Sequence, residues 1–284
     1  MSLGLILMHP ILFVSLITLF GPVASLSFVI LLKCFHFHVI QPFCIFFTSF
    51  ALKNMHCNEL SICRYLGIEA GSFFGGSAIV QAEAMKHEGV DGVLLCIDPF
   101  SGSVEHWTNL LGGQRNGTRV DMREFFLRMN NRSPRPRIFE QFMTNVMDAN
   151  MNDIILPLST TSIVGFHSLR RLQRHVDIPL VNSIYLDSSH LKGETLIELE
   201  AAWEILMPGG ILFGDDFDVY WQDMTDDIRK FALSRHDEVE IFTPNDLIGV
   251  QSDTIKFNVD SIAQGLLVES IAPSGNQWIL RKKK

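Results

Sequence analysis

The residues best suited to chemistry in this chain stand at the carboxyl ends of short apolar runs. Asp187-Ser188-Ser189-His190 follows Ser183-Ile184-Tyr185-Leu186, and Asp215-Asp216 follows Ile211-Leu212-Phe213-Gly214. If the two runs are adjacent parallel strands, Asp187, Asp215 and Asp216 converge on one crevice, because such sheets open their ligand site at the strands' carboxyl ends. Carboxylates gathered in this way are costly unless a cation binds or some of them protonate. Oxygen donors suit a hard divalent ion such as magnesium, which keeps positions open for water and substrate oxygens. His190, three residues beyond Asp187, carries a side chain able to act as a general base near neutral pH. The structural alternatives are a helix cap for Asp215-Asp216 and a hydrogen-bonded loop histidine for His190.

A second group lies upstream. Glu69-Ala70-Gly71-Ser72-Phe73-Phe74-Gly75-Gly76-Ser77 joins an apolar run to a helical pattern. Its glycines permit tight turning and close approach to a ligand, and the helix that follows offers free N–H groups at a positive dipole end. Phe73 replaces the second glycine of the dinucleotide fingerprint, which weakens a nicotinamide reading. A ligand-free strand-to-helix turn is the alternative. Asp98 closes the next apolar run, where a doubly wound fold places a carboxylate for ribose hydroxyls. A simple turn cap is the alternative. His106 and Trp107 are placed to touch an adenine ring or to pack a lid, Tyr220 and Trp221 to wall an acceptor pocket or cover the sheet edge, and Trp203 belongs to the core.

These positions require a scaffold of alternating strands and helices. The pattern predicts strands at Tyr65–Glu69, Val93–Asp98, Ile154–Leu158, Ser183–Asp187 and Ile211–Asp215, with a closing strand at Gln277–Leu280. Helical spacing covers Ser77–His87, Ile138–Ala149, Ser162–His175, Gly193–Leu206 and Asp223–Arg235. Pro208-Gly209-Gly210 is read as the stop of the fourth helix, and 99–137 as a long connection or lid. The rhythm is that of an α/β domain with a mostly parallel sheet.

Composition bounds the rest. Of 284 residues, 47% are hydrophobic and 19% charged. The apolar excess is concentrated in Met1–Leu52, which has no Asp or Glu and one basic residue, Lys33. The chain therefore divides into a hydrophobic segment, 1–53, and a globular domain, 54–284. Ile11–Leu32 is uncharged and long enough to span a bilayer, and Val39–Leu52 is shorter and suits an interfacial position. Lys33 and Lys53 favour a membrane anchor with a cytoplasmic catalytic domain; without the segment the protein is expected to be cytoplasmic. The net charge of −8 and the lack of a basic stripe exclude a nucleic-acid partner. Arg281-Lys282-Lys283-Lys284 is read as a solvated tail. Five cysteines without a CxxC pair exclude a disulfide framework and a structural zinc site.

Glu69-Ala-Gly-Ser-Phe-Phe-Gly-Gly-Ser77, Cys96-Ile-Asp-Pro-Phe-Ser-Gly102, Tyr185-Leu-Asp-Ser-Ser-His190 and Leu206-Met-Pro-Gly-Gly-Ile-Leu-Phe-Gly-Asp-Asp216 occur in the order seen in class I S-adenosylmethionine-dependent methyltransferases. The chain most resembles the branch containing the macrocin and mycinamicin sugar O-methyltransferases and the cephalosporin-hydroxylase-like proteins. The resemblance covers Tyr65–Asp216 well and the remainder to Leu280 loosely. It implies a seven-stranded Rossmann-like sheet with helices on both faces. It puts the methionine moiety near Glu69, Gly71 and Ser72, includes Gly75, Gly76 and Ser77 in the cofactor loop, and puts the ribose near Asp98. It assigns a magnesium ion to Asp187, Asp215 and Asp216, with His190 as base; the family often has Glu-Asp where this chain has Asp215-Asp216. The implied activity is O-methylation of a small hydroxylated acceptor. A catalytically silent, membrane-tethered binding protein and a metal-dependent oxygenase or hydrolase on the same scaffold stay open.

Overall fold

The structure, a computed structural model, describes residues 65–108, 136–176, 178, 180–217, 221–240 and 278–284. The hydrophobic segment 1–53, with its candidate span Ile11–Leu32, lies outside the described residues, as does most of the 99–137 connection. Among the described residues no helix is long and apolar enough to cross a membrane.

Five strands run parallel: β1 (Tyr65–Ala70), β2 (Gly92–Ile97), β3 (Ile155–Leu158), β4 (Val181–Leu186) and β5 (Leu206–Gly214). β6 (Val239–Glu240) and β7 (Trp278–Lys282) complete the sheet, β7 pairing antiparallel with both β5 and β6. The seven strands lie in the order β3-β2-β1-β4-β5-β7-β6. The order reverses between β1 and β4, and the switch point of a doubly wound sheet is where its ligand crevice opens. Gly71 follows β1 and Asp187 follows β4, so the topology delivers both to that crevice.

Among the described residues the helices are α1 (Gly76–His87), a short α2 (Val104–Thr108), α3 (Ile138–Asp148), α4 (Ser162–His175), α5 (Glu194–Ile205) and α6 (Gln222–Ser234). Two apolar clusters show that they cover both faces of the sheet. On one face Phe166, Leu199, Trp203, Ile228 and Phe231 pack on Ile68, Ile184 and Leu212; on the other Ala78, Ala82, Met85 and Phe142 pack on Tyr65, Leu94 and Cys96. β1 is buried along its whole length, as a central strand covered on both faces must be. α4 starts at Ser162 because Thr161 accepts the Val164 N–H through Oγ1 at 3.4 Å, and it carries Arg174 and His175 in its last turn. At Gly165 a Cβ would meet the Ile97 side chain at 2.8 Å, so glycine lets this helix lie against β2.

Two expectations change. Pro208-Gly209-Gly210 does not separate helix from strand: α5 ends at Ile205 and β5 begins at Leu206. The irregularity appears instead in register, Leu206 pairing with Val181 and Ile211 with Ser183, because this stretch holds a proline without an N–H and a left-handed Gly209 at φ 82°. Nor is the whole terminal basic run a solvated tail, although Lys283 and Lys284 are exposed beyond the strand. Arg281, 7% exposed, and Lys282 belong to β7; the Lys282 ammonium donates to the carbonyls of Trp203 at 2.7 Å and Leu206 at 3.0 Å, satisfying the carboxyl end of α5.

Candidate active site

The glycine loop is built from the end of β1 outward. Glu69 is fully buried, and its carboxylate accepts from Ser77 Oγ at 3.0 Å and Gln81 Nε2 at 2.5 Å, which ties β1 to the first turns of α1. Gly71 has φ 88°, and its N–H donates to the Ile97 carbonyl at 2.9 Å. A Cβ at Gly71 would lie 1.9 Å from the Asp187 carbonyl oxygen, so the loops after β1 and β4 touch backbone to backbone. α1 starts at Gly76 behind a left-handed Gly75 with no side-chain cap, the arrangement in which N-terminal amides serve an anionic ligand group. Ser72 is buried beside Cys96, whose thiol is pushed well up by burial, with the Glu69 and Asp98 charges adding to the rise and the Ser72 hydroxyl opposing it. That thiol is therefore a packing group and not a nucleophile.

Asp98 bridges two loops. One carboxylate oxygen accepts from Phe73 N at 2.8 Å and the other from Phe100 N at 2.5 Å, which holds the glycine loop against the turn after β2. Both Phe73 and Phe100 sit at positive φ, 46° and 51°, a strain that these bonds offset. A carboxylate has further lone-pair sites and can accept hydroxyls besides these amides. The His106 ring stacks on Phe73 at 5.2 Å, and Trp107 Nε1 donates to the Ser101 carbonyl at 2.8 Å.

Across the switch point stand Asp187, His190 and Asp216, each offering a ligand atom within 4.8 Å of the others. His190 Nε2 lies 2.8 Å from Asp216 Oδ2, and the Trp221 ring covers the imidazole at 4.3 Å. Asp215 is not in this trio; its Oδ1 accepts from Asp216 N at 2.9 Å, and Asp216 at φ 62° turns its side chain toward His190 instead. The two carboxylates are oxygen donors of the kind that fits a hard divalent cation, and the imidazole stands beside them. Tyr220 lies outside the described residues.

Several residues that shape this loop were not singled out in the sequence. Glu198, on α5, is 5% exposed; its Oε1 accepts from Ser188 Oγ at 2.7 Å and from Ser162 Oγ at the start of α4. Burial pushes the Glu198 carboxyl up, against the lowering effect of the two hydroxyls. Asp227 on α6 accepts from Gly193 N at 2.7 Å and Leu196 N at 3.3 Å, capping α5 from a neighbouring helix. Thr195 Oγ1 donates to the Ser189 carbonyl at 2.9 Å. The available signal was that Thr195, Glu198, Ala202 and Ile205 recur at helical spacing on a buried face. A charged residue in such a stripe needs a partner inside the fold.

A family model described as a methyltransferase domain matches residues 68–217, the segment that runs from β1 to just past Asp216. No curated protein matches significantly. Among solved structures, an O-methyltransferase from Bacillus cereus in complex with SAH is 14% identical, with a TM-score of 0.40 over 84% of this chain and 88% of that one. A SAM-dependent O-methyltransferase from Thermotoga maritima is 12% identical, with a TM-score of 0.40 over 84% of this chain and 64% of that one. A TDP-rhamnose 3'-O-methyltransferase of calicheamicin biosynthesis is 14% identical, with a TM-score of 0.41 over 82% and 74%. The family match covers more than half of the chain and favours methyl transfer over the silent-binding, oxygenase and hydrolase alternatives. With its switch-point glycine loop, the chain belongs to the methyltransferase-domain family and is an S-adenosylmethionine-dependent methyltransferase.

Proposed function

We propose that this enzyme is a divalent-metal-assisted O-methyltransferase acting on a small hydroxylated acceptor, as its resemblance to the macrocin and mycinamicin branch implies. The observation that carries the reading is the backbone contact between Gly71 and Asp187, which sets the cofactor loop against an acid–base and metal-binding cluster. In this reading Glu69–Ser77 would hold the cofactor and Asp98 would accept from its ribose hydroxyls. Asp187 and Asp216 would hold magnesium, Asp215 would support Asp216 through the Asp216 backbone N–H, and His190 would be the base.

S-adenosylmethionine supplies a methyl carbon bonded to a positively charged sulfur, and a divalent ion supplies a charge that orients and acidifies the acceptor hydroxyl. The chain contributes position and proton transfer. Glycine at 71 keeps the loop after β1 in contact with the β4 loop, the closeness that a reaction between groups held on the two loops requires. His190 would take the hydroxyl proton as the acceptor oxygen receives the methyl group and the sulfur keeps the electron pair of the broken carbon–sulfur bond. Asp216, 2.8 Å from Nε2, fixes the ring's orientation and tautomer. Trp221 covers the imidazole and limits its access to water.

The test is conversion of S-adenosylmethionine to S-adenosylhomocysteine by the full chain with a panel of sugars, diols and catechols, with and without magnesium. Turnover is expected to depend on both acceptor and metal and to fall at least 100-fold in His190→Ala, the scale of a lost general base. Undiminished turnover in that variant removes His190 from the base role. Metal-independent turnover removes the magnesium assignment.

A further inference from the structure

Glu198 is a buried acid that the chemistry above does not use. A charged side chain 5% exposed on a helix that otherwise buries Leu199, Ala201, Ala202, Trp203 and Ile205 is costly, and an apolar residue of similar volume would pack there without that cost. Its hydrogen bonds converge on one atom: Oε1 receives the hydroxyls of both Ser162 and Ser188. Ser162 opens α4 just after β3, while Ser188 sits between Asp187 and His190. Glu198 thus clamps the loop carrying the proposed acid–base group to a second helix start. The other bonds to this segment hold different atoms: Asp187 N donates to the Ala70 carbonyl at 2.9 Å, Ser189 Oγ donates to Glu194, and Thr195 Oγ1 donates to the Ser189 carbonyl.

We propose that Glu198 is a positioning residue, whose Oε1 fixes the Asp187–His190 segment through Ser188. The proposal rests on the reading of Asp187, His190 and Asp216 as the metal and acid–base cluster. It requires an acceptor atom rather than a charge, because both hydroxyls donate to the same oxygen. Glutamine at 198 retains that oxygen; leucine removes it and fills the space.

The experiment compares full-length wild type with Glu198→Leu, Glu198→Gln and Ser188→Ala. Three quantities are read: manganese(II) affinity, S-adenosylmethionine affinity by calorimetry, and the position of the His190 imidazole cross-peak in carbon–proton NMR, assigned by its loss in His190→Gln. Glu198→Leu and Ser188→Ala are expected to weaken manganese binding at least tenfold and to move the His190 cross-peak, with S-adenosylmethionine affinity within twofold of wild type. Glu198→Gln is expected to stay within threefold of wild type for manganese. Ser188→Ala cuts the tether outside the packed helix and keeps the test informative if Glu198→Leu does not fold. An unmoved His190 cross-peak with manganese affinity unchanged in Ser188→Ala overturns the proposal, as does parallel loss of S-adenosylmethionine binding, which marks a merely structural role. If wild type itself binds no manganese, the metal reading fails, and the His190 cross-peak alone decides the positioning role.

Discussion

Replacing Gly71 by alanine tests whether the glycine loop and the β4 loop form one site. The residue sits at φ 88°, where an L side chain costs roughly 1–2 kcal/mol. Its Cβ would also lie 1.9 Å from the Asp187 carbonyl oxygen and 2.8 Å from the Ser188 Cα, so the two loops must separate by about 1.5 Å to reach the 3.4 Å of an ordinary contact. For a domain of this size, each kcal/mol shifts the melting temperature by about 2–4 °C, which gives a loss of roughly 2–8 °C from the backbone strain alone. A displacement of about 1 Å at a reacting centre can cost on the order of 100-fold in rate. Gly71→Ala is therefore expected to melt several degrees lower and to bind S-adenosylmethionine at least tenfold more weakly by calorimetry. Gly193→Ala is the control: that glycine has φ 81° but nothing within 4 Å of the added Cβ. It is expected to lose comparable stability and to keep cofactor affinity within twofold. Cofactor affinity unchanged in Gly71→Ala, or equally weakened in Gly193→Ala, refutes the reasoning.

Three further outcomes follow from other parts of the fold. The Tyr65 hydroxyl, bonded to Ser183, is pushed up to about 12 by burial from an ordinary 10.0, so its contribution to stability is intact below pH 10.0 and is lost as pH rises through about 12. Denaturant unfolding of Tyr65→Phe should show a shallower alkaline decline than wild type; equal slopes contradict this. Asp227→Ala leaves Gly193 N and Leu196 N at the start of α5 without their acceptor and should cost about 1–2 kcal/mol in urea unfolding, with a loss under about 0.3 kcal/mol counting against the cap. Trp203 Nε1 donates to Glu238 at 2.7 Å, and that bond, with Arg235 and Lys282 assisting, holds the Glu238 carboxyl below the usual value against its desolvation. A lowered carboxyl contributes stability above its ordinary value of 4.5 and loses it as pH falls through the folded value, so Glu238→Gln should reduce the acid sensitivity of unfolding followed by Trp fluorescence.

Local signals in the chain reach as far as the elements and no farther. The bounds of α4 at Ser162 and His175 are legible in the sequence because adjacent residues set them, Thr161 at the cap and a basic last turn. The strands were found from short apolar runs, and acids at their carboxyl ends pointed to the crevice because a parallel sheet presents those ends together. Glu198 escaped notice since its partners stand 10 and 36 residues away, and only the packing of α5 beside α4 and the β4 loop brings them within bonding distance. Arg281 looked like a tail residue until antiparallel pairing with β5 buried it. The division of labour between Asp215 and Asp216 was equally hidden, because two adjacent aspartates are alike in sequence and a backbone turn at φ 62° sends one to His190 and leaves the other on a backbone amide. Residue type and periodicity specify which groups are available and on which element they ride; strand order and backbone handedness at single positions select which of those groups meet, since a side chain's partner is a matter of distance in space and not along the chain.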